Sequence, residues 1–216
     1  MVRVTGNFQS ESPLDPKAFE VLHAAFESGW ANPGKLSQSG ARAHQLRNQA
    51  LESIAASLGV AKDSILPFSS LSMGYFLGIQ GICDRSSTLI HGATDRKDVF
   101  AIAATMDHEI LPSDLHGKIL APKAQSPTSV LALHVANAET GVIQDCAEIV
   151  GRVNSDRVFL DATTSGIRKP ISCEYSTAIF DSRSWYGPAD IGFLVVNKAA
   201  QWHNPFPHLN AAKVNF

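Results

Sequence analysis

The chain alternates short apolar segments with segments of helical periodicity, and this alternation limits the folds that it can adopt. Residues 130–135 and 158–161 are almost entirely apolar, as strands are when both faces of their sheet are covered. Residues 41–58 instead carry apolar side chains at the spacing of one helix face. Strands that alternate with helices pair in parallel and receive helices on both faces. The sequence therefore predicts an α/β fold, a three-layer α/β/α sandwich with a mostly parallel mixed sheet.

Capping residues and apolar periodicity place the other elements of this fold. Asp15 and Pro16 are typical of a helix start, because Asp caps free backbone N–H groups and Pro suits the first helical position. Further helices are predicted over 41–58, 75–83, 98–106 and 145–153. Strands are predicted over 64–68, 88–91, 108–111, 130–135, 158–161 and in two segments of 178–196, with a loop over 121–128.

Functional side chains in such sheets gather where the strands end. Four junctions meet this condition: 69–73, 91–95, 137–141 and 161–165. A polar loop, D-S-R-S-W-Y-G-P-A-D, separates the last two strands and is longer than a tight hairpin requires. Loops of this kind often carry function, so this loop belongs to the predicted site.

Length and charge set limits on the partners of the chain. With 216 residues it can form one domain with a full core, and we expect a single domain over 1–216. The net charge of -2 gives no electrostatic reason to expect nucleic acid or an anionic membrane as a partner. No apolar run is long enough to cross a bilayer, and residues 1–16 lack the apolar core of a secretory signal. These features predict a cytoplasmic protein.

The three cysteines, Cys83, Cys146 and Cys173, are widely spaced and form no C-x-x-C pair. Their odd number and their spacing argue against a disulfide framework and against a zinc site. We expect them to be small buried hydrophobic side chains. The eight histidines show no metal-binding spacing either, so the sequence predicts no metal.

Five segments of the chain carry a resemblance to known proteins. They are PLDPKAF, ANPGKLSQSGARAHQLRNQALESIAASLGV, VLALHVANAETGVIQD, VFLDATTSGIRKPI and FDSRSWYGPADIGFLVV. In order and approximate spacing they resemble the large domain of the cysteine desulfurases, which belong to the class V aminotransferase group of pyridoxal-phosphate enzymes. The resemblance runs from about residue 13 to 196 and implies the large-domain fold of the pyridoxal-phosphate-dependent transferases.

The resemblance implies a role for Asp161 at the end of a predicted strand. The family aspartate at this place pairs with the pyridine nitrogen and keeps the cofactor ring an electron sink. Thr163 is implied as a cofactor-site residue beside it. In the alternative interpretation Asp161 only caps the following turn, with Thr163 or Thr164 as its hydrogen-bond partner.

The polar loop resembles the loop that carries the Schiff-base lysine of the family. When the two are aligned on Y-G-P, Ser184 occupies the lysine position and Arg183 the position of the preceding histidine. Asp181 occupies the position of a serine that holds the phosphate. A serine cannot form an imine, and an aspartate repels a phosphate unless Arg183 compensates.

Other family positions differ as well. Arg96 aligns near the histidine that stacks on the cofactor, where a guanidinium could also stack, or could simply begin a helix in solvent. Ser72 lies in the turn that replaces the phosphate-binding Gly-Ala-Thr, where it could bind an anion or act as an ordinary cap. Ala138 and Thr164 replace an asparagine and a glutamine of the family.

The family's smaller C-terminal domain, with its mobile catalytic cysteine and its substrate-binding arginine, is expected to be absent. No cysteine of this chain then inherits the catalytic role. These losses favour a desulfurase-like domain without catalysis, in which pyridoxal phosphate is not held covalently. Such a domain would act as a structural or regulatory protein in sulfur or iron–sulfur metabolism, as a homodimer or as a heterodimer with a related desulfurase.

Two alternatives stay open. The chain could be an active enzyme that binds pyridoxal phosphate non-covalently or uses a lysine of a partner subunit. It could also reuse the old pocket for a small anion. The residues implied for that anion site are Asp161, Thr163, Ser182, Arg183 and Ser184.

Overall fold

The computed structural model describes residues 13–29, 31–121 and 129–206, which form one sheet with helices on both faces. The helices are α1 (Pro16–Glu27), α2 (Gln38–Leu58), α3 (Leu71–Gln80), α4 (Lys97–Ala103) and α5 (Cys146–Val153). The strands are β1 (Ile65–Phe68), β2 (Leu89–Gly92), β3 (His108–Leu111), β4 (Val130–His134), β5 (Arg157–Asp161), β6 (Thr177–Asp181) and β7 (Gly192–Val196). Short 3-10 turns cover Lys62–Ser64, Gly166–Arg168 and Ser182–Trp185.

The seven strands lie in the order β1-β7-β6-β5-β4-β2-β3. Strands β2 to β6 are parallel to one another, whereas β7 runs antiparallel to both β6 and β1. The register pairs His134 with Asp161, and Asp161 with Ile179. The carboxyl ends of β4, β5 and β6 therefore align at one edge, and the predicted mostly parallel mixed sheet is confirmed.

Each face of the sheet has its own apolar core, which gives the predicted three layers. Helices α2 and α5 cover one face, and helices α3 and α4 cover the other. Phe159 and Leu160 are neighbours in β5, yet they point into opposite cores because side chains alternate along a strand. This is why the central strands are apolar at every position. Each large side chain buried in this way contributes about 1.5–3 kcal/mol to stability.

Side-chain capping explains where helices α1 and α2 begin. Asp15 Oδ1 accepts hydrogen bonds from the N–H groups of Lys17 and Ala18, which confirms the predicted start of α1. Helix α2 begins at Gln38, three residues before the predicted start, because Ser37 caps it through the Gly40 N–H. Helices α3 and α4 also begin earlier than predicted, at Leu71 and Lys97. Most of the predicted loop 121–128 lies outside the described residues.

Helix α1 contacts the rest of the chain very little. Its apolar side chains recur at helical spacing, yet none of its residues is buried. Phe19 is 56% exposed and Phe26 is 77% exposed. The Asp15 N–H donates to the Tyr186 carbonyl and fixes the start of the helix next to the polar loop. Among the described helices, none combines the length and the apolar character needed to span a membrane.

Candidate functional site

The strand ends open into a pocket of about 650 Å³. It lies beyond the carboxyl ends of β2, β4 and β5, at the start of α4 and beside the turn that follows β4. Its ionisable lining residues are Asp95, Arg96, Lys97, Asp98, His134, Glu139 and Asp161. Two of the four predicted junctions, 91–95 and 137–141, thus meet here, together with Asp161 and Thr164 of a third.

Asp161 is held from two sides at the end of β5. Its Oδ1 accepts hydrogen bonds from the Thr163 N–H at 2.9 Å and the Thr163 hydroxyl at 2.6 Å. Its Oδ2 accepts a hydrogen bond from the Tyr75 hydroxyl at 2.5 Å. The carboxylate is only 4% exposed, and these three donors leave acceptor capacity on Oδ2 alone. The hydrogen bond to Thr163 that the sequence suggested is confirmed.

Tyr75 and Arg96 complete the surroundings of this carboxylate. Burial, together with the negative charge of Asp161, raises the pKa of the Tyr75 hydroxyl well above its ordinary value. Burial opposes the charge on Arg96, but its interactions with Tyr75 and Asp161 outweigh burial and raise its pKa. Arg96 therefore lines the same pocket as Asp161, and it is partly buried rather than fully exposed at the start of α4. No sequence pattern distinguished Tyr75 from the other core residues of α3.

A second buried network forms the wall of the pocket at His134. Gln144 Oε1 accepts from the Ile119 N–H, so its Nε2 carries the two N–H donors. One donates to the Gly117 carbonyl at 2.9 Å and the other to His134 Nε2 at 3.1 Å. Since Nε2 of His134 accepts, its Nδ1–H donates to Asp95 Oδ1, at 2.5 Å.

The other oxygen of Asp95 fixes the backbone at the end of β2. Its Oδ2 accepts from the Gly92 N–H at 2.6 Å. The carboxylate of Asp95 and the imidazole of His134 are 2% and 3% exposed. The sequence missed this pair, because Asp95 and His134 lie on different strand ends and only the sheet register brings them together.

The polar loop after β6 satisfies its own hydrogen bonds. Asp181 Oδ2 accepts from Arg183 Nε at 2.8 Å and Nη2 at 2.7 Å, and Oδ1 accepts from the Arg183 N–H. Ser184 donates from its hydroxyl to the Asp181 carbonyl at 2.7 Å, and Ser182 donates to the Pro188 carbonyl. The Ser182 and Ser184 hydroxyls therefore donate within the loop, and Arg183 directs Nε and Nη2 at Asp181.

Ser184 also packs against Gly166. A Cβ built on Gly166 would lie 2.2 Å from the Ser184 hydroxyl oxygen, and Gly166 has a φ of +53°. Both reasons favour glycine here. The serine is buried, with 8% of its surface exposed, and it is not one of the residues that line the pocket.

Ser72 is in contact with a carboxylate at the start of α3. Its hydroxyl donates to Asp98 Oδ1 at 2.6 Å. A phosphate at this helix start would meet the negative charge of Asp98 rather than a free hydroxyl. Of the four cofactor-site residues that the sequence suggested, the pocket thus contains Asp161 in its lining and Thr163 as that residue's partner. Ser72 and Arg183 lie outside the lining.

Comparison with known proteins now gives this site a family context. No protein-family model matches the chain. A protein of Rickettsia bellii named "Cysteine desulfurase IscS" is 26% identical over 211 residues, which cover 89% of this chain and 52% of the relative. A Rickettsia typhi protein of the same name is 27% identical over 212 residues, with the same shares covered. The relatives of this chain are cysteine desulfurases. The chain spans about half the length of the curated relatives that it matches.

Solved structures with the same fold carry related names. A structure described as a NifS-like protein matches with a TM-score of 0.79 at 18% identity and covers 93% of this chain and 60% of its own. The NifS-like protein from Rickettsia africae matches with a TM-score of 0.73 at 19% identity, over 88% of this chain and 57% of its own. These structures show that the desulfurase-like fold is the fold of this chain.

The described residues of this desulfurase-like chain fit pyridoxal phosphate at one end only. Asp161 lies in the pocket with acceptor capacity on Oδ2, as a ring N–H would require. The end that would hold the phosphate does not fit in the same way. Ser72 donates its hydroxyl to Asp98, and Asp181 is paired with Arg183. Ser184 offers no amine, and Lys97 is the lysine among the described lining residues. The phosphate end of the site therefore differs from the family pattern, whereas the Asp161 end agrees with it.

Proposed function

We propose that this chain is a cysteine-desulfurase-like domain that performs no pyridoxal-phosphate chemistry with its own residues and acts by binding another protein. The partner is a second copy of the chain or a related desulfurase, and a cytoplasmic location and a link to sulfur or iron–sulfur metabolism are part of the proposal. The observation that carries it is the position of Ser184. Its hydroxyl donates back to the Asp181 carbonyl and its side chain rests on Gly166.

The electrostatics of the loop support the same proposal. Asp181 and Arg183 neutralise each other through three N–H donors, so neither is preorganised for a phosphate. Asp98 adds a second carboxylate where the phosphate of the family would lie. An active site depends on donors that are aimed at the ligand before it arrives, whereas these donors are directed at the protein itself.

Helix α1 supports the proposal that the chain binds another protein. Phe19 and Phe26 are 56% and 77% exposed and lie seven residues apart, on one face of a helix with no buried residue. Contiguous exposed apolar surface marks protein–protein contact sites. A partner that covers this stripe would remove the apolar area from water at about 25 cal/mol per Å².

An active enzyme with non-covalent cofactor is the second candidate. The observation in its favour is that Asp161 faces the pocket with acceptor capacity on Oδ2, near the cation of Arg96. Lys97 lies in the same lining and adds a second cation to it. This candidate requires a phosphate site other than the one that the resemblance implies.

Borohydride trapping tests the first part of the proposal, that the chain performs no pyridoxal-phosphate chemistry. The purified chain is mixed with pyridoxal phosphate, reduced with borohydride, digested and examined by peptide mass spectrometry for lysines that carry a pyridoxyl group. We expect only slow, unselective labelling of surface lysines. Stoichiometric labelling of one lysine would overturn the proposal. If that lysine is Lys97, the label disappears in Lys97→Ala and stays in the control Lys169→Ala.

Light scattering after size exclusion tests the second part of the proposal, that the chain binds another protein. We expect the mass of two chains, or a complex with an added cysteine desulfurase. Phe26→Ser should weaken the association at least tenfold, whereas Glu20→Gln on the same helix should leave it unchanged. A monomer that does not bind the added desulfurase would contradict the proposed protein binding. This outcome would leave the trapping result unaffected.

A further inference from the structure

His91 is a histidine that the sheet buries completely. It lies in β2 between β3 and β4, opposite Ile110 and Ala132, and 0% of its surface is exposed. Its Nδ1 lies 3.2 Å from the carbonyl oxygen of Gly92. Because a carbonyl only accepts hydrogen bonds, Nδ1 carries the proton of the neutral ring and Nε2 keeps a lone pair. Among the described residues, this Nε2 has no hydrogen-bond partner.

Two aromatic side chains from neighbouring elements pack against this ring. Phe100 of α4 meets it nearly at a right angle, with ring centres 4.7 Å apart and an angle of 80° between the planes. The ring centre of His108 in β3 lies 5.7 Å from that of His91. Phe100 also lines the pocket, as do Arg96 and Lys97 at the start of the same helix. His91 therefore packs against the helix whose first turns line the pocket.

A second proton on the ring would leave a buried N–H at Nε2 without an acceptor, which is costly. Burial lowers the pKa of His91 below its ordinary value of 6.5, and the neighbouring His108 acts in the same direction. The Gly92 carbonyl and the Asp95 carboxylate oppose this shift. Both oxygens of Asp95 already accept hydrogen bonds, one from the Gly92 N–H and one from His134.

The ionisable residues around His91 come from four elements. They are Asp95 and Arg96 in the turn after β2, Lys97 and Asp98 of α4, His108 and Glu109 of β3, and His134 of β4. Of these, Asp95 and His108 act on the pKa of His91. Strand alternation places Glu109 on the opposite face of the sheet. Lys97 and Asp98 line the pocket.

We propose that His91 is an acid-sensitive switch, whose protonation at Nε2 separates α4 from the sheet and admits water to the wall of the pocket. The proton comes from solvent, and it reaches Nε2 when Phe100 moves off the ring. Above about pH 6.5 the ring is neutral in both the packed and the separated state, so pH has no effect. Below this pH the separated state takes up the proton and the packed state does not, so acid favours separation, by up to about tenfold per pH unit. The dependence ends once pH falls through the lower pKa of the packed state. His91 would act in this way whether or not the chain binds a cofactor or a partner.

Hydrogen–deuterium exchange over α4 tests the switch. The full chain is labelled at about pH 7.5 and about pH 5.5, and each rate is corrected for the pH dependence of exchange in an unfolded chain. We expect the protection of residues 97–103 to fall by about five- to tenfold at the lower pH. Helix α5 is the internal reference, because it covers the opposite face of the sheet, and its protection should change by less than about twofold.

Two variants assign the effect to one ring. His91→Phe removes the titrating group but keeps an aromatic side chain, and its α4 should be equally protected at both pH values. His108→Gln is the matched control, because it removes the exposed histidine next to His91, and it should keep most of the pH dependence. An NMR titration of the wild-type chain tests the proposal without any variant, and the His91 ring should titrate below its ordinary pKa.

Four results would overturn the proposal. The first is α4 protection in the wild-type chain that does not change with pH, and the second is an equal loss in α5, which would indicate general acid unfolding. The third is a pH dependence that persists in His91→Phe or disappears in His108→Gln. The fourth is a His91 ring that titrates at or above its ordinary pKa, and this result decides the matter even if His91→Phe does not fold.

Discussion

The hydroxyl of Tyr75 donates a 2.5 Å hydrogen bond to Oδ2 of Asp161 and so joins helix α3 to the end of strand β5. Tyr75 is fully buried, and Asp161 is nearly so. Because buried carboxylates are costly without donors, this bond helps to hold a charge at the floor of the pocket. It also positions Asp161 relative to the helix that begins at the polar turn 69–73.

Replacing Tyr75 by Phe should therefore lower the free energy of unfolding by about 1.5–3 kcal/mol, the value of a hydrogen bond to a charged group. Urea unfolding measures the change. Tyr175→Phe is the matched control, since it removes a hydroxyl from a half-buried ring outside the pocket, and it should cost less than about 1 kcal/mol. Equal losses in the free energy of unfolding of the two variants would show that the hydrogen bond to Asp161 does not stabilise the fold.

The sequence predicted those parts of the molecule that depend on local pattern. The strands of the sheet, the Asp15 cap and the bond between Asp161 and Thr163 are set by neighbouring residues, and all were predicted. The contact of Tyr75 with Asp161 joins residues far apart in the chain, and no periodicity encodes it. The pairing of Asp95 with His134 depends on the register of β2 and β4 in the same way.

Helix α1 shows another limit. Its apolar side chains recur at helical spacing. An amphipathic pattern shows which face of a helix is apolar but not which element covers it, and in this chain the stripe stays exposed.

His134 is predicted to stabilise the wall of the pocket. His134→Leu would leave Asp95 Oδ1 without its donor and Gln144 without an acceptor, and each buried orphan costs about 1–3 kcal/mol. Thermal or urea unfolding measures the loss. The control is His23→Ala, because His23 is 61% exposed in its pair with Glu27 and should change stability by less than about 0.5 kcal/mol. A loss for His134→Leu as small as that of the control would contradict this account of the network.

Cys83 should make the fold less stable in alkali. Burial raises the pKa of its thiol from 9.0 to about 11. Between these values the unfolded chain loses the proton while the folded chain keeps it, so the free energy of unfolding falls as pH rises. The contribution is at most about 1.4 kcal/mol per pH unit.

Comparison of the wild-type chain with Cys83→Ala isolates this contribution. Other groups that titrate in the same pH window do so in both chains, and the packing cost of the substitution does not vary with pH. Urea unfolding in the presence of reductant, at about pH 8 and about pH 10, gives the two slopes. We expect a shallower decline in Cys83→Ala. Parallel declines would show that Cys83 ionises as readily in the folded chain as in the unfolded one.

Gly166 is predicted to be intolerant of any side chain because of Ser184. In Gly166→Ala the new methyl would meet the Ser184 hydroxyl at 2.2 Å, on a backbone with φ of +53°. Strain and overpacking together should cost about 2–4 kcal/mol. Gly151→Ala is the control, since nothing lies within 4 Å of its Cβ position in α5, and alanine there should stabilise the helix by about 0.5–1 kcal/mol.

A double-mutant cycle separates the two causes. In Gly166→Ala with Ser184→Gly the clash is gone but the backbone strain stays, so part of the loss, about 1–2 kcal/mol, should be recovered. Urea unfolding of the four chains gives the coupling energy. Strictly additive losses would show that Ser184 does not rest on Gly166.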